Sequence, residues 1–334
     1  NKKLPFRVSS FFSGPLTKNI WGRVYLDVIA IIATIFGIAT SLGLGANQIN
    51  SGLSYMGVIE GSFVNTVGIV ILITLMGLAS VVLGLKVGIK ILSQINIVLC
   101  IIFLSFIFLT GPTSYILDGL VQNLGSYVQK LLSLSTNTQG YSDSSWQNAW
   151  TLYYYSWWFA WSPFVGLFIA RISYGRSIQE FLIGAVLVPT FIVFIWMGVF
   201  GNAAIYQEFI EPTSLSTAIN NDIAISLFIF LEQFPFSQLI MWLAIVIILT
   251  FFVTSSDSGA LVTSMLTAAK KENFKDEPPM ILRIIWALSL GVISIVLLAG
   301  GGIGALQTSV IVTGVPFAIL VSFAARSLLK DLNK

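Results

Sequence analysis

Long apolar runs, broken by few charges, set the pattern of this chain. Residues 28–59, 61–85, 91–117, 144–170 and 181–207 carry no charge. Residues 233–256 are also uncharged, and one acid, Asp257, separates them from the uncharged 258–269. The last run, 284–325, has 42 uncharged residues. A helix needs about 20 mostly apolar residues to span a bilayer, so each run accommodates one span and the last is long enough for two. The triplet Gly300-Gly301-Gly302 divides it. The pattern predicts helices over 24–49, 65–85, 91–110, 150–171, 180–205, 238–267, 281–299 and 304–327, eight spans in all. Segment 112–146 reads differently. Ile116, Leu120, Leu124, Tyr127 and Leu131 recur every three or four residues with Gln and Asn between them. That period suits an amphipathic helix lying on the membrane surface or on neighbouring helices; a polar loop with scattered apolar residues is the alternative.

Composition narrows the class further. Hydrophobic residues make up 56% and charged residues 9%, with a mean hydropathy of +0.90. A soluble domain is about 25% charged, so a soluble enzyme, a disordered chain and a fibrous protein are excluded. The chain has no His, which removes Ser-His triads and His-ligated metals. Its single Cys100 removes intrachain disulfides and cysteine metal clusters and reads as a small core hydrophobe. A net charge of +3 gives no footing for a nucleic-acid partner. The fold class is all-α, a polytopic membrane helix bundle.

Charge placement supports the span count. With eight spans, Lys2, Lys3, Arg7, Lys18 and Arg23 fall on one side, with Lys86, Lys90, Arg171, Arg176, Lys270, Lys271, Lys275, Arg283, Arg326, Lys330 and Lys334. Of the 17 basic residues only Lys130 falls on the other. By the positive-inside rule the basic side is cytoplasmic, with both termini there, in a multi-pass protein of the cell membrane. The opposite loops are acidic, with Glu60, Asp118, Asp143, Glu208, Glu211, Asp222 and Glu232. The organisation is then a cytoplasmic basic arm (1–23), three spans (24–110), an extracellular segment (111–149), five spans (150–327) and a cytoplasmic tail (328–334). The chain starts at Asn1, directly with the basic arm, which looks like the middle of a longer protein.

The densest chemical signal lies in residues 150–161, which hold four of the nine Trp together with Tyr153, Tyr154 and Tyr155. Trp and Tyr commonly anchor helices at the bilayer interface. This cluster runs about three turns into the helix, deeper than a belt requires. Trp150, Tyr154, Trp157, Trp158 and Trp161 are expected on one face, as an aromatic cage for a cation without hydrogen-bond donors, each ring contributing about 0.5–2 kcal/mol. Belt and cage both remain open on composition. Pro163, in Ser162-Pro163-Phe164-Val165-Gly166, removes a backbone donor and frees a carbonyl one turn earlier, and Gly166 is expected to admit another backbone; a plain kink is the alternative. In the run Phe251 to Gly259, Thr254, Ser255, Ser256, Asp257 and Ser258 interrupt an apolar helix. Adjacent Thr254 and Ser255 offer two oxygens to a small hard cation, or back-bond to their own helix. Asp257, an intramembrane carboxylate, is a functional candidate, as proton relay, gate or simply an acid facing water. Thr40-Ser41-Leu42-Gly43-Leu44-Gly45 reads as helix packing rather than an ion site. It lacks the third glycine of a dinucleotide fingerprint.

At these residues the chain resembles the betaine/carnitine/choline transporter family. The stretch from Trp150 to Phe181 is similar to the family signature: an aromatic helix, then Ser162-Pro163-Phe164-Val165-Gly166, then Phe168-Ile169-Ala170-Arg171-Ile172-Ser173 and Gly175-Arg176. Thr40 to Ala46, Phe251 to Ser258 and Ala305-Leu306-Gln307-Thr308 are similar to further family stretches. The resemblance implies a twelve-span fold in which ten spans form two inverted repeats of five; the eight spans here correspond to the last eight, without the first four. It implies substrate contacts by Trp157, Trp158 and Trp161, with Tyr153 where the family often has Phe and Tyr154 beside it. It implies a sodium site from the Phe251 carbonyl and the Thr254 and Ser255 hydroxyls, with a second sodium touching Phe164. Tyr155 replaces a common Trp, and Tyr174 a usual basic residue. The implied partners are a small quaternary ammonium solute and membrane lipid, the implied assembly a homotrimer with 113–133 at the contact.

The expected function is sodium-driven import of a quaternary ammonium osmolyte, glycine betaine first, with sodium as coupling ion and no other cofactor. No Lys or Arg lies between Arg23 and Lys86 to replace sodium; proton coupling through Asp257, exchange, and choline or carnitine as solute are the alternatives. An intramembrane enzyme using Ser255 or Ser258 with Asp257 is disfavoured by the absence of His and of Gly-x-Ser-x-Gly. A partial chain that only packs within a larger assembly is the remaining rival.

Overall fold

A computed structural model describes residues 7–12, 15–84, 88–210, 215–268 and 278–332. Lys2, Lys3, Lys86, Glu211, Lys270, Lys271, Lys275 and Lys334 lie outside the described residues. The described chain is helical and, among those residues, contains no strand. In order it runs through α1 (Pro15–Lys18), α2 (Ile20–Tyr55), α3 (Phe63–Leu83), α4 (Lys90–Thr110), α5 (Thr113–Thr136), α6 (Tyr153–Ile172), α7 (Ile178–Leu182), α8 (Val188–Phe209), α9 (Leu215–Asn221), α10 (Ser226–Glu232), α11 (Ser237–Thr267) and α12 (Met280–Leu332). A π-helical turn, Gln147–Leu152, leads into α6; another, Ile183–Leu187, joins α7 to α8.

Among the described residues, six helices are long and apolar enough to cross a membrane: Ile20–Tyr55, Phe63–Leu83, Lys90–Thr110, Ile178–Phe209, Ser237–Thr267 and Met280–Leu329. The expected count is eight, and the difference has two sources. The helix α6 carries so many Tyr, Ser and Trp residues that its hydropathy falls short. The helices expected over 281–299 and 304–327 both lie in α12. A straight helix of its 53 residues would reach about 80 Å at 1.5 Å per residue, far beyond a hydrocarbon core of about 30 Å. It is not straight: Gly301 (φ 178°, ψ 18°) and Gly302 (φ 63°, ψ −144°) leave helical geometry. The Gly302 conformation is open to glycine alone among common residues, so the triplet does interrupt the helix.

The long α2 is the axis of the bundle and packs on α3, α6, α11 and α12. Asn19 caps it by accepting from the Trp21 N–H at 3.2 Å. Its small residues admit neighbouring side chains directly onto the backbone. The ring of Phe252 lies where a Cβ on Gly45 would stand, and that of Phe228 does the same at Gly52. Thr40 donates to the Leu306 carbonyl at 3.0 Å, and Ser41 back-bonds to Gly37, so the Thr40–Gly45 stretch is packing, as its composition suggests. The carbonyl of Ser156 on α6 sits 2.1 Å from where a Gly314 Cβ would be, bringing α12 hard against the aromatic helix.

Segment 112–146 forms α5, with the expected helix over Thr113–Thr136. Its first half lies on α8: Leu120 covers Gly198, Tyr115 meets Tyr206 edge-on at 5.3 Å, and Asn123 donates to Asn202 at 3.2 Å. Further along, Val121, Val128 and Leu132 are exposed. Two charges close to span ends are held inside. Arg283 is buried in α12 and donates to the Val81 carbonyl at 2.9 Å, a cation at the negative end of α3. Asp27, within α2, is buried and accepts from the Ser9 N–H and hydroxyl at 2.8 and 3.0 Å, which fastens the arm to the bundle.

Candidate functional site

The aromatic helix presents a ladder of rings. Trp150 stacks parallel on Tyr154 at 5.9 Å, Tyr153 on Trp157 at 5.5 Å; Trp157 then meets Trp161 edge-on at 6.3 Å, and Trp161 meets Phe164 at 5.5 Å. The indole N–H groups of Trp157 and Trp161 both donate to the Gly37 carbonyl on α2, at 3.0 and 2.9 Å. An indole N–H is a donor only, and a single acceptor therefore fixes both ring planes. Gly37 is required for this: a Cβ there would stand 2.7 Å from the Trp161 ring. Sequence reasoning missed Gly37, a lone glycine in an apolar run.

The expectation that Trp158 shares this face does not hold. Trp158 is 61% exposed and pairs with Tyr155 at 5.4 Å, outside the ladder. Ring contacts link Tyr153, Tyr154, Trp157 and Trp161 into one group, and Tyr155 with Trp158 into another. Phe164 is buried, in ring contact with Trp161 and Phe168.

Helix α6 continues through Pro163, which leaves the Phe159 carbonyl without its backbone donor. The Ser162 hydroxyl donates to that carbonyl at 2.7 Å. Around Gly166 there is open space, with nothing within 4 Å of where a Cβ would stand; the expected close backbone approach is absent among the described residues.

On α11 the Thr254 and Ser255 hydroxyls both donate to the Phe251 carbonyl, at 2.8 and 3.0 Å. The back-bonding alternative is therefore realised, and it gathers three oxygens at one point. Asn96 on α4 joins them: its Nδ2 donates to Thr254 Oγ1 at 3.3 Å, while its buried Oδ1 has no hydrogen-bond partner. A carbonyl, two hydroxyls and a neighbouring amide oxygen are the hard donors a small monovalent cation takes up when it sheds water. Asn96 is a second residue the sequence reading passed over; a lone Asn inside an apolar span was the available signal.

Asp257 does not face water. It is fully buried, accepting from Ser258 Oγ at 2.9 Å and from Ser80 Oγ of α3. Gly77 makes room, since a Cβ there would approach Ser256 Oγ at 2.9 Å. The carboxylate ties α11 to α3 through hydroxyls. The described residues contain no cluster of three or more His, Cys, Asp or Glu side chains able to hold a metal ion.

The aromatic ladder on α6 and the carbonyl–hydroxyl group on α11 lie within one bundle of apolar helices. The whole chain, residues 1–334, matches the BCCT family, described as betaine/carnitine/choline family transporter, and it belongs to that family. It is 40% identical over 333 residues to the glycine betaine transporter of Acinetobacter baylyi, covering 99% of this chain and 50% of that protein. It is 38% identical over 334 residues to a glycine betaine/proline/choline transporter of Vibrio parahaemolyticus, covering 99% and 59%. A second protein of that organism, glycine betaine transporter 1, is 37% identical over 338 residues, with 100% and 64% covered. The chain spans about half the length of the first of these and under two thirds of the others.

Proposed function

We propose that the chain forms part of a secondary transporter that imports a quaternary ammonium osmolyte, glycine betaine first, together with sodium. The observation that carries this reading is the double indole clamp on Gly37. It holds the half-buried Trp157 and Trp161 rings against α2, and cation–π attraction strengthens as water is excluded around such rings. The oxygen group of Phe251, Thr254, Ser255 and Asn96 supports sodium as coupling ion. The names of the relatives support glycine betaine and choline as solutes. The energetics suit accumulation: one sodium ion at about 100 mV and a tenfold gradient supplies about 3.7 kcal/mol, or nearly 500-fold for a neutral zwitterion.

In this reading the chain crosses the membrane eight times, with α6 and the two halves of α12 each counted as spans, and the basic loops are cytoplasmic. A cysteine introduced at Asp143 should then react with an impermeant thiol reagent from outside, and one introduced at Arg176 only from inside; outside labelling at Arg176 breaks the topology. A homotrimer in which the exposed half of α5 meets its neighbour belongs to the same reading. The decisive experiment is uptake of labelled betaine, choline and carnitine by the whole transporter in proteoliposomes, with and without a sodium gradient. Sodium-dependent betaine uptake is expected, and absence of uptake for all three overturns the proposal.

A further inference from the structure

A cleft of about 540 Å³ opens at the end of the bundle that carries Glu60, Asp222 and Glu232. It lies between the last turns of α2, the start of α3 and the break in α12, and is lined among others by Asn47, Asn50, Ser51, Tyr55, Phe63 and Asp222. Among the described residues, Asp222 is its only charged lining residue. That acid caps the turn Ile223–Ile225 by accepting from the Ala224 N–H at 2.9 Å, and the turn packs on α2. The Tyr55 hydroxyl donates to Glu232, which holds the Tyr55 ring at the rim beside a second acid.

The most telling group is Asn50. Only 6% of it is exposed; its Nδ2 donates to the Ser62 carbonyl at 3.2 Å, and its Oδ1 is buried with no hydrogen-bond partner. A buried acceptor without a partner costs free energy unless something else fills the role. The described lining thus presents a carboxylate, an unpartnered amide oxygen and two aromatic rings, and no cation. This repels anions and attracts positive charge. A bare metal ion such as calcium is held at about 2.3–2.6 Å by its oxygens, a far tighter cage than this cleft. Small organic ligands occupy cavities of about 300–1,000 Å³.

We infer that the cleft is a reception site for solutes with a quaternary ammonium head, separate from the aromatic helix, where the solute halts before reaching the interior. Asp222 supplies the opposite charge, Tyr55 and Phe63 the ring faces, and Asn50 Oδ1 an acceptor for the polarised methyl groups. This rests on the transport reading for the choice of solute. The test reads occupancy of the cleft rather than uptake. In the whole transporter with Cys100→Ala, a Ser51→Cys variant is reacted from outside with an impermeant methanethiosulfonate. Choline is expected to slow the reaction about fivefold, and Asp222→Asn to abolish that protection, the range of one partly exposed charge contact. Trp158→Leu should leave the protection intact. Three results overturn the inference: no protection by choline, protection by sodium alone, or protection lost with Trp158→Leu, which would assign the effect to the aromatic helix. Uptake without protection sinks this site and spares the transport reading. Protection without uptake does the reverse.

Discussion

Replacing Trp158 by Leu in the whole transporter is expected to raise the solute concentration for half-maximal uptake about tenfold or more, the loss of a cation–π face worth roughly 1–2 kcal/mol. Expression and thermal stability should stay unchanged, because Trp158 is 61% exposed and makes its ring contact with Tyr155 alone among the described residues. Its faces are therefore open to a ligand. Trp161→Leu should differ in kind. That ring gives its N–H to Gly37 and lies against Phe164, so its removal should weaken both solute binding and the docking of α6 on α2. Uptake kinetics and melting of the detergent-solubilised protein, measured on the same variants, separate the two effects. Mild and equal changes at Trp157, Trp158 and Trp161 would return the cluster to an interfacial belt and remove the solute site from α6.

The contrast between Trp157 and Trp158 also marks how far the amino-acid order could be read. Helix positions were legible because charge is expelled from a bilayer interior, and soluble folds seldom go 20 or more residues without a charge. The interruption of α12 was legible because three consecutive glycines rarely hold a helix. Helical spacing alone did not decide which rings would meet: Trp157 joins Tyr153 and Trp161, while Trp158, only about 40° around the helix from Tyr154, pairs with Tyr155. Other features depend on partners far along the chain. Gly37 acquires its role from rings 120 and 124 residues away. Asp257 is enclosed because Ser80, 177 residues earlier, reaches it. Asn96 turns toward Thr254 across 158 residues. Periodicity carries no record of such pairings; they appear only when helices are packed.

The hydroxyl pair on α11 yields the other large expected effect. Thr254 and Ser255 lie one turn beyond Phe251 and point at its carbonyl. A sodium ion entering there would take the carbonyl and both hydroxyl oxygens, and the hydroxyl protons would turn away. Thr254→Ala with Ser255→Ala removes two of those ligands and should raise the sodium concentration for half-maximal uptake at least tenfold, about 1.4 kcal/mol or more. Solute affinity at saturating sodium should change less, since the rings of α6 are untouched. Asn96→Ala should act in the same direction if its buried Oδ1 completes the shell. Ser255→Ala alone gives an internal control on packing. That hydroxyl bonds its own helix carbonyl, and its loss strands no donor, whereas Thr254→Ala also takes the acceptor from Asn96 Nδ2. Asp257→Asn should leave the sodium dependence in place, its carboxylate being engaged by Ser80 and Ser258. If instead uptake by the unmutated transporter follows pH and ignores sodium, the oxygen group is ordinary helix back-bonding. Asp257, the acid sealed between α3 and α11, then becomes the coupling residue.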